Sequence, residues 1–152
     1  MSGARSLLRG AGERLARAGV ASPDADAAWL LAHVLGVSRG ALMLVDVVAA
    51  DDADRFEQLL VRRCAREPLQ HLLGTAAFRT VELAVGPGVF VPRPETELLA
   101  GWAIEAAAGL ERPLVLDLCT GSGAIAAAVA AEAPHARVVA VELDPGALAW
   151  AE

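Results

Sequence analysis

The stretch VLDLCTGSGAIA, residues 115–126, decides how this chain is read. Leu114, Val115, Leu116 and Leu118 form an apolar run interrupted by Asp117, the pattern of a buried strand, and residues 124–133 form an alanine-rich segment of helical length. Between them, CTGSG puts Gly121 and Gly123 where missing β-carbons let a ligand touch the backbone, at a helix N-terminus with free N–H donors. A second apolar run, residues 138–141, ends at Glu142, nineteen residues after Gly123, and another helix is predicted from Pro145. This order of strand, glycine turn, helix, strand and helix opens a doubly wound parallel sheet of the Rossmann-like α/β class. A carboxylate placed as Glu142 is accepts hydrogens from both hydroxyls of a ribose, so the segment predicts a nucleotide-like ligand. Taken singly, the glycines mark a turn and the acid caps a helix; it is their joint spacing that points to binding.

The spacing Gly121-x-Gly123-x-x-Ala126 with a later acid also describes a dinucleotide turn, so NAD competes with S-adenosylmethionine as the ligand. Asp117 separates them. A carboxylate beside the glycine turn repels a pyrophosphate and attracts the ammonium or sulfonium of S-adenosylmethionine. Charge along the chain agrees: residues 1–93 hold 11 arginines and 10 acids, whereas residues 94–152 hold 2 arginines and 9 acids. An acidic half-domain is a poor host for a phosphate-rich cofactor. Thr120 and Ser122 add hydroxyls at the turn.

Working back from this segment, three regions are predicted. Residues 1–73 read as a small helical bundle. Leu7, Leu8, Ala11, Leu15 and Ala18 recur at helical spacing; Ser22-Pro23 starts a second helix that Gly36 stops; Ser38 caps a short third; Asp51 or Asp52 begins a fourth that ends before Pro68. Residues 74–93 read as a β-hairpin linker, with strands around Phe78, Val81, Leu83 and Val85 and again at Val89, Phe90 and Val91, turning at Gly86-Pro87-Gly88. Residues 94–152, entered through Pro92-Arg93-Pro94, begin with a helix closed by Gly109 and continue into the β-turn-α-β-α segment. Trp29, Trp102 and Trp150 fall at helical positions expected to anchor cores.

Composition excludes several classes. The 152 residues carry a net charge of -6, against a generally basic nucleic-acid binder, and 55% hydrophobic content is too high for disorder. No apolar run approaches a membrane span, and an N-terminus broken by arginine and glycine is not expected to be a signal peptide. Cys64 and Cys119, the only cysteines, make neither a CxxC pair nor a disulfide framework and are expected to be small buried side chains; no metal site is indicated.

At these residues the chain resembles the N-terminal half of release-factor glutamine methyltransferases, the PrmC/HemK family. Residues 66–74, REPLQHLLG, are similar to the family's REPxxHLxG element, and residues 90–97, FVPRPETE, to its IPRPxTE element. LDLCTGSG at 116–123 is similar to its cofactor loop, and Glu142 stands where the family places its ribose-binding acid. The resemblance implies a class I methyltransferase domain whose start is residues 94–152, using S-adenosylmethionine to methylate the glutamine amide of the GGQ motif in class-one peptide chain release factors. It implies cofactor binding by Asp117, Cys119, Thr120, Gly121, Ser122, Gly123 and Glu142, and a pocket shaped by Arg93, Pro94, Glu95 and Thr96, with Arg93 and Glu95 equally able to form a local ion pair. It further implies a cytoplasmic enzyme, a monomer when complete, without membrane or direct nucleic-acid partners.

Two departures follow. The family holds the acceptor amide with an NPPY motif, and this chain contains neither asparagine nor tyrosine. None of its residues is therefore assigned a catalytic role. The expectation is a truncated sheet with an exposed apolar face, little or no cofactor affinity and no activity alone. Cys119 replaces the family's usual glycine and is strained if its φ is positive. Arg62, Arg63 and Arg66 form a basic cluster that is either a solvated face or a release-factor contact. The alternatives are an NPPY-type amino-methyltransferase acting on nucleic acid, a non-catalytic adaptor built on the helical module, and a dinucleotide oxidoreductase.

Overall fold

The computed structural model describes Ser2–Glu152. The chain divides into two compact units, one ending at Leu73 and the other beginning at Gly74.

In the first unit, α1 (Ala4–Arg17), α2 (Pro23–Leu35), α3 (Arg39–Leu42) and α4 (Ala50–Cys64) follow the predicted order within a few residues at each end, and a short α5 (Leu69–Leu73) comes after them. Alternation of charge and apolarity fixes α1: Ala4, Ala11 and Leu15 are buried, while Arg5, Arg9 and Glu13 face water. Pro23 opens α2, whose first turn carries Asp24 and Asp26, and Gly36 closes it in the left-handed region at φ +65°. Ser22 makes no side-chain cap, whereas Ser38 accepts the Ala41 N–H at 3.1 Å. Leu15, Leu30, Leu31, Phe56 and Leu60 fill the core, each such burial contributing about 1.5–3 kcal/mol. Gly12 lets α1 approach α2 closely, since a β-carbon there would collide with the Asp24 carboxylate.

Ion pairs tie the helices together. Arg14 donates two bonds of 2.7 Å to Glu57, joining α1 to α4. Arg63 reaches Asp26 at 2.8 Å and the Glu67 carbonyl at 2.8 Å, Arg62 bonds Glu67, and Arg66 donates to the Gly19 carbonyl. All three arginines of the basic cluster are thus engaged inside their own unit. The two-residue strands β1 (Ser2–Gly3) and β2 (Val47–Val48), paired antiparallel, have no sequence signature and were not expected.

The second unit opens with a hairpin, β3 (Thr75–Phe78) paired antiparallel with β4 (Val81–Ala84). Its turn is Arg79-Thr80, not the predicted Gly86-Pro87-Gly88, and residues 89–91 are not a strand. Arg79 takes φ +50°, unusual for a side chain of this size, and tertiary bonds hold it there. Its N–H donates to Glu97 Oε1 at 3.1 Å, and its guanidinium donates to the Glu97 carbonyl at 3.2 Å and to both Glu132 oxygens at 2.9 and 2.6 Å.

Then come α6 (Thr96–Ala108), β5 (Leu114–Leu118), α7 (Ala124–Glu132), β6 (Arg137–Val141) and α8 (Pro145–Ala151). β5 and β6 are parallel, in register from Leu114↔Arg137 to Leu118↔Val141. Small side chains on α7 permit close packing: Ala124 and Ala128 share a core with Phe78, Leu83 and Val85, while Val129 joins Ala107 and Ala133. The strands are not buried on both faces. Val115 and Asp117 turn inward, but Leu114, Leu116 and Leu118 are exposed, as the strand period of two requires when only one face is covered. Of the tryptophans expected in cores, Trp29 and Trp102 are exposed, and Trp29 lies beside the Arg39 guanidinium, 5.0 Å from ring centre. Trp150 does pack, with its ring filling the space beside Gly86.

Candidate functional site

A cleft of about 610 Å³ opens at the carboxyl ends of β5 and β6. It is lined by residues 88–93 and Thr96, by residues 117–122 with Ala124 and Ile125, and by Glu142, Asp144 and Ala147. Most residues that the sequence singles out therefore meet in one place: Asp117, Cys119, Thr120, Gly121, Ser122, Glu142, Arg93 and Thr96. Gly123 stands one residue behind, and Pro94 and Glu95 are exposed outside the lining. Sequence reasoning missed Asp144 and Gly88, Val89, Phe90 and Val91 as lining; the Gly-Pro-Gly punctuation marked a bend there without showing that it borders a site.

The turn between β5 and α7 is fixed by its acids. Asp117 is buried at the end of β5, and its Oδ2 accepts the Thr120 hydroxyl at 2.6 Å and the Ala126 N–H at 3.1 Å. The Thr120 hydroxyl is thereby spent on shaping the turn. The Thr120 N–H donates to the Val141 carbonyl at 3.0 Å, locking the turn to the end of β6. Gly121 at φ +57° and Gly123 at φ +76° occupy the region glycine favours, and a β-carbon on Gly121 would meet only open space. Cys119 is also left-handed, at φ +60°, so the strained alternative holds; the side chain is exposed rather than buried.

Glu142 accepts three backbone hydrogen bonds: from Gly121 at 2.8 Å, Leu143 at 2.8 Å and Asp144 at 3.1 Å. These N–H donors, Asp144 first, then Gly121 and Leu143, hold its carboxyl below the ordinary carboxylate range. Asp144 in turn caps α8 by accepting the Gly146 N–H at 2.8 Å. Arg93 and Glu95 do not form the local ion pair that was the alternative for them; Arg93 has no acceptor among the described residues.

This arrangement bears on the ligand. A pyrophosphate at a glycine turn needs its backbone N–H groups, and here carboxylates already hold those of Gly121 and Ala126. A cationic group meets no such competition. The donor set thus fits a phosphate-free, positively charged nucleoside better than a dinucleotide. Among the described residues no group of three or more His, Cys, Asp or Glu side chains could hold a metal, and no helix is long and apolar enough to cross a membrane.

Fold and cleft together define a chain with a helical N-terminal module and, in its second unit, an open cleft at the end of a β-α-β unit. Residues 6–74 match the PrmC N-terminal domain. The chain is 56% identical over 140 residues to a release factor glutamine methyltransferase of Streptomyces coelicolor, with 91% of this chain and 49% of that protein aligned. It is 53% identical to one of Mycolicibacterium smegmatis, covering 99% of this chain and 53% of the relative, and 45% identical to one of Deinococcus radiodurans, covering 97% and 54%. The chain is thus similar to release factor glutamine methyltransferases along nearly its whole length, and it spans about half the length of the curated relatives it matches.

Proposed function

We propose that the cleft binds S-adenosylmethionine and that the chain forms the donor-holding part of a release factor N5-glutamine methyltransferase. On this reading residues 94–152 start a Rossmann-like class I methyltransferase domain, preceded by the hairpin of residues 74–93 and the helical module of residues 1–73. The observation that carries the reading is the pair of carboxylates, Asp117 and Glu142, that occupy the turn's amides where a dinucleotide would put its phosphates.

Each residue then has a part. Gly121 and Gly123 give the backbone conformation and the open approach. Cys119, Thr120 and Ser122 border the methionyl end, Asp117 supplies negative charge toward its ammonium, and Glu142, with three acceptor sites already filled, takes a ribose hydroxyl at Oε2. Arg93, Pro94, Glu95 and Thr96 shape the entrance where the acceptor arrives. The bound donor supplies a methyl group already activated by its sulfonium, so holding donor and acceptor in line does most of the catalysis. The 152 residues contain no asparagine and no tyrosine, so they do not supply the amide-positioning NPPY element that the family resemblance implies.

The partners on this reading are class-one peptide chain release factors in the cytoplasm. Equilibrium dialysis against tritiated S-adenosylmethionine tests the cofactor reading. Retention that S-adenosylhomocysteine displaces and NAD does not is expected; displacement by NAD, or no retention even at millimolar donor, overturns it.

A further inference from the structure

We infer that Arg93 binds the carboxylate of the donor's amino-acid end, which rests on the reading of the cleft as an S-adenosylmethionine site. The charged lining of the cleft is Asp117, Glu142, Asp144 and Arg93. All three acids are satisfied within the fold: Asp117 by Thr120 and Ala126, Glu142 by three backbone N–H groups, Asp144 by Gly146. The Arg93 guanidinium alone among these side chains bonds nothing among the described residues, although Glu95 and Glu97 lie two and four residues along the chain. A guanidinium with five donors and no acceptor, lining an otherwise acidic cleft, is matched to an incoming carboxylate.

Its backbone is restrained before any ligand arrives. Pro92 and Pro94 flank it, the second disfavouring helical backbone at Arg93, and the Arg93 carbonyl accepts the Thr96 N–H at 3.0 Å as the chain enters α6. The amino-acid head of the donor is a zwitterion. Asp117 offers negative charge to the ammonium but nothing to the carboxylate, which in a cleft with three acids is repelled unless a cation meets it. Arg93 is the only Lys or Arg side chain in the lining.

Binding of two ligands that differ only at this group tests the assignment: S-adenosylmethionine and its decarboxylated analogue, which keeps sulfonium, ammonium and nucleoside. Each is titrated into the wild-type 152-residue chain, Arg93→Met and Arg93→Lys, with circular dichroism checking that the variants fold. The wild type is expected to prefer the intact donor by about tenfold, Arg93→Met to lose that preference while binding the analogue as before, and Arg93→Lys to keep part of it. Equal weakening of both ligands in Arg93→Met assigns the residue to the shape of the wall and overturns the inference, as does no change in either. A wild-type chain that binds both ligands equally overturns it while leaving the donor site standing; one that binds neither overturns both.

Discussion

Glu142 and Gly121 are joined across 21 positions by a 2.8 Å hydrogen bond from the glycine N–H to the glutamate carboxylate. The acid that follows β6 thereby holds the glycine turn after β5, so the rigidity of that turn depends on one side chain.

A pH dependence follows. The folded Glu142 carboxyl titrates below its ordinary range because three amides favour its ionised form. A depressed folded value means the stabilisation is complete above the unfolded value of about 4.3 and disappears as pH falls through the folded one. Hydrogen exchange at Gly121, Leu143 and Asp144, compared between pH 6 and a pH below the folded carboxyl's titration after correction for intrinsic rates, is expected to lose protection at the lower pH. Glu142→Gln is expected to show that loss already at pH 6, with little further change on acidification. Equal protection in both proteins at both pH values would contradict the role given to the carboxylate.

Cys119 sits at φ +60° with an exposed side chain, so it meets the cost of left-handed backbone with little packing in return. Cys119→Gly removes roughly 1–2 kcal/mol of strain and gives back roughly half through the looser unfolded chain. Urea denaturation is expected to show a gain of about 0.5–1 kcal/mol, and Cys119→Val a loss, because a β-branched residue tolerates this region worst. A destabilised glycine variant would mean that the thiol makes contacts worth more than the strain.

Gly86 leaves room for the Trp150 ring. A methyl group at this position would overlap it, so Gly86→Ala is expected to destabilise the second unit by roughly 1–3 kcal/mol. Trp150→Leu, mildly destabilising by itself, is expected to absorb most of that penalty in the double variant. Additive losses in thermal melts would show that the two residues do not meet.

Arg79 gathers the hairpin turn, the first turn of α6 and the last turn of α7 at one guanidinium. Arg79→Ala is expected to speed hydrogen exchange at Val81 and around Glu97. The exchanged pair Arg79→Glu with Glu132→Arg is expected to recover part of the protection, since the opposite charges are kept. Unchanged exchange in Arg79→Ala would show that backbone contacts alone hold the turn.

What was legible in the sequence was local or periodic. Gly36 and Pro23 bound α2, the apolar runs give β5 and β6, and the glycines with Glu142 mark the cleft. What failed was set by distant partners. Arg79-Thr80 lacks the Asn-Gly chemistry of a tight turn and bends because Glu97 and Glu132 hold it, so the more familiar Gly-Pro-Gly drew the prediction seven residues too far along. Arg63 and Arg66 read as surface because two of their acceptors, Asp26 and the Gly19 carbonyl, lie more than 35 positions away. Asp117 was legible as an acid beside the turn, but its bonds to Thr120 and Ala126 follow from the fold.

On the reading proposed above, a cationic methyl donor occupies the cleft lined by Asp117 and Glu142. Titrating ¹⁵N-labelled protein with S-adenosylmethionine and following backbone amide signals tests it most directly, because weak binding is still mapped to residues. Saturable shifts concentrated at Gly121, Ser122, Gly123, Leu143 and Asp144, with none from NAD at equal concentration, are predicted. Shifts from NAD at these amides, or shifts from the methyl donor confined to other parts of the chain, would contradict the account.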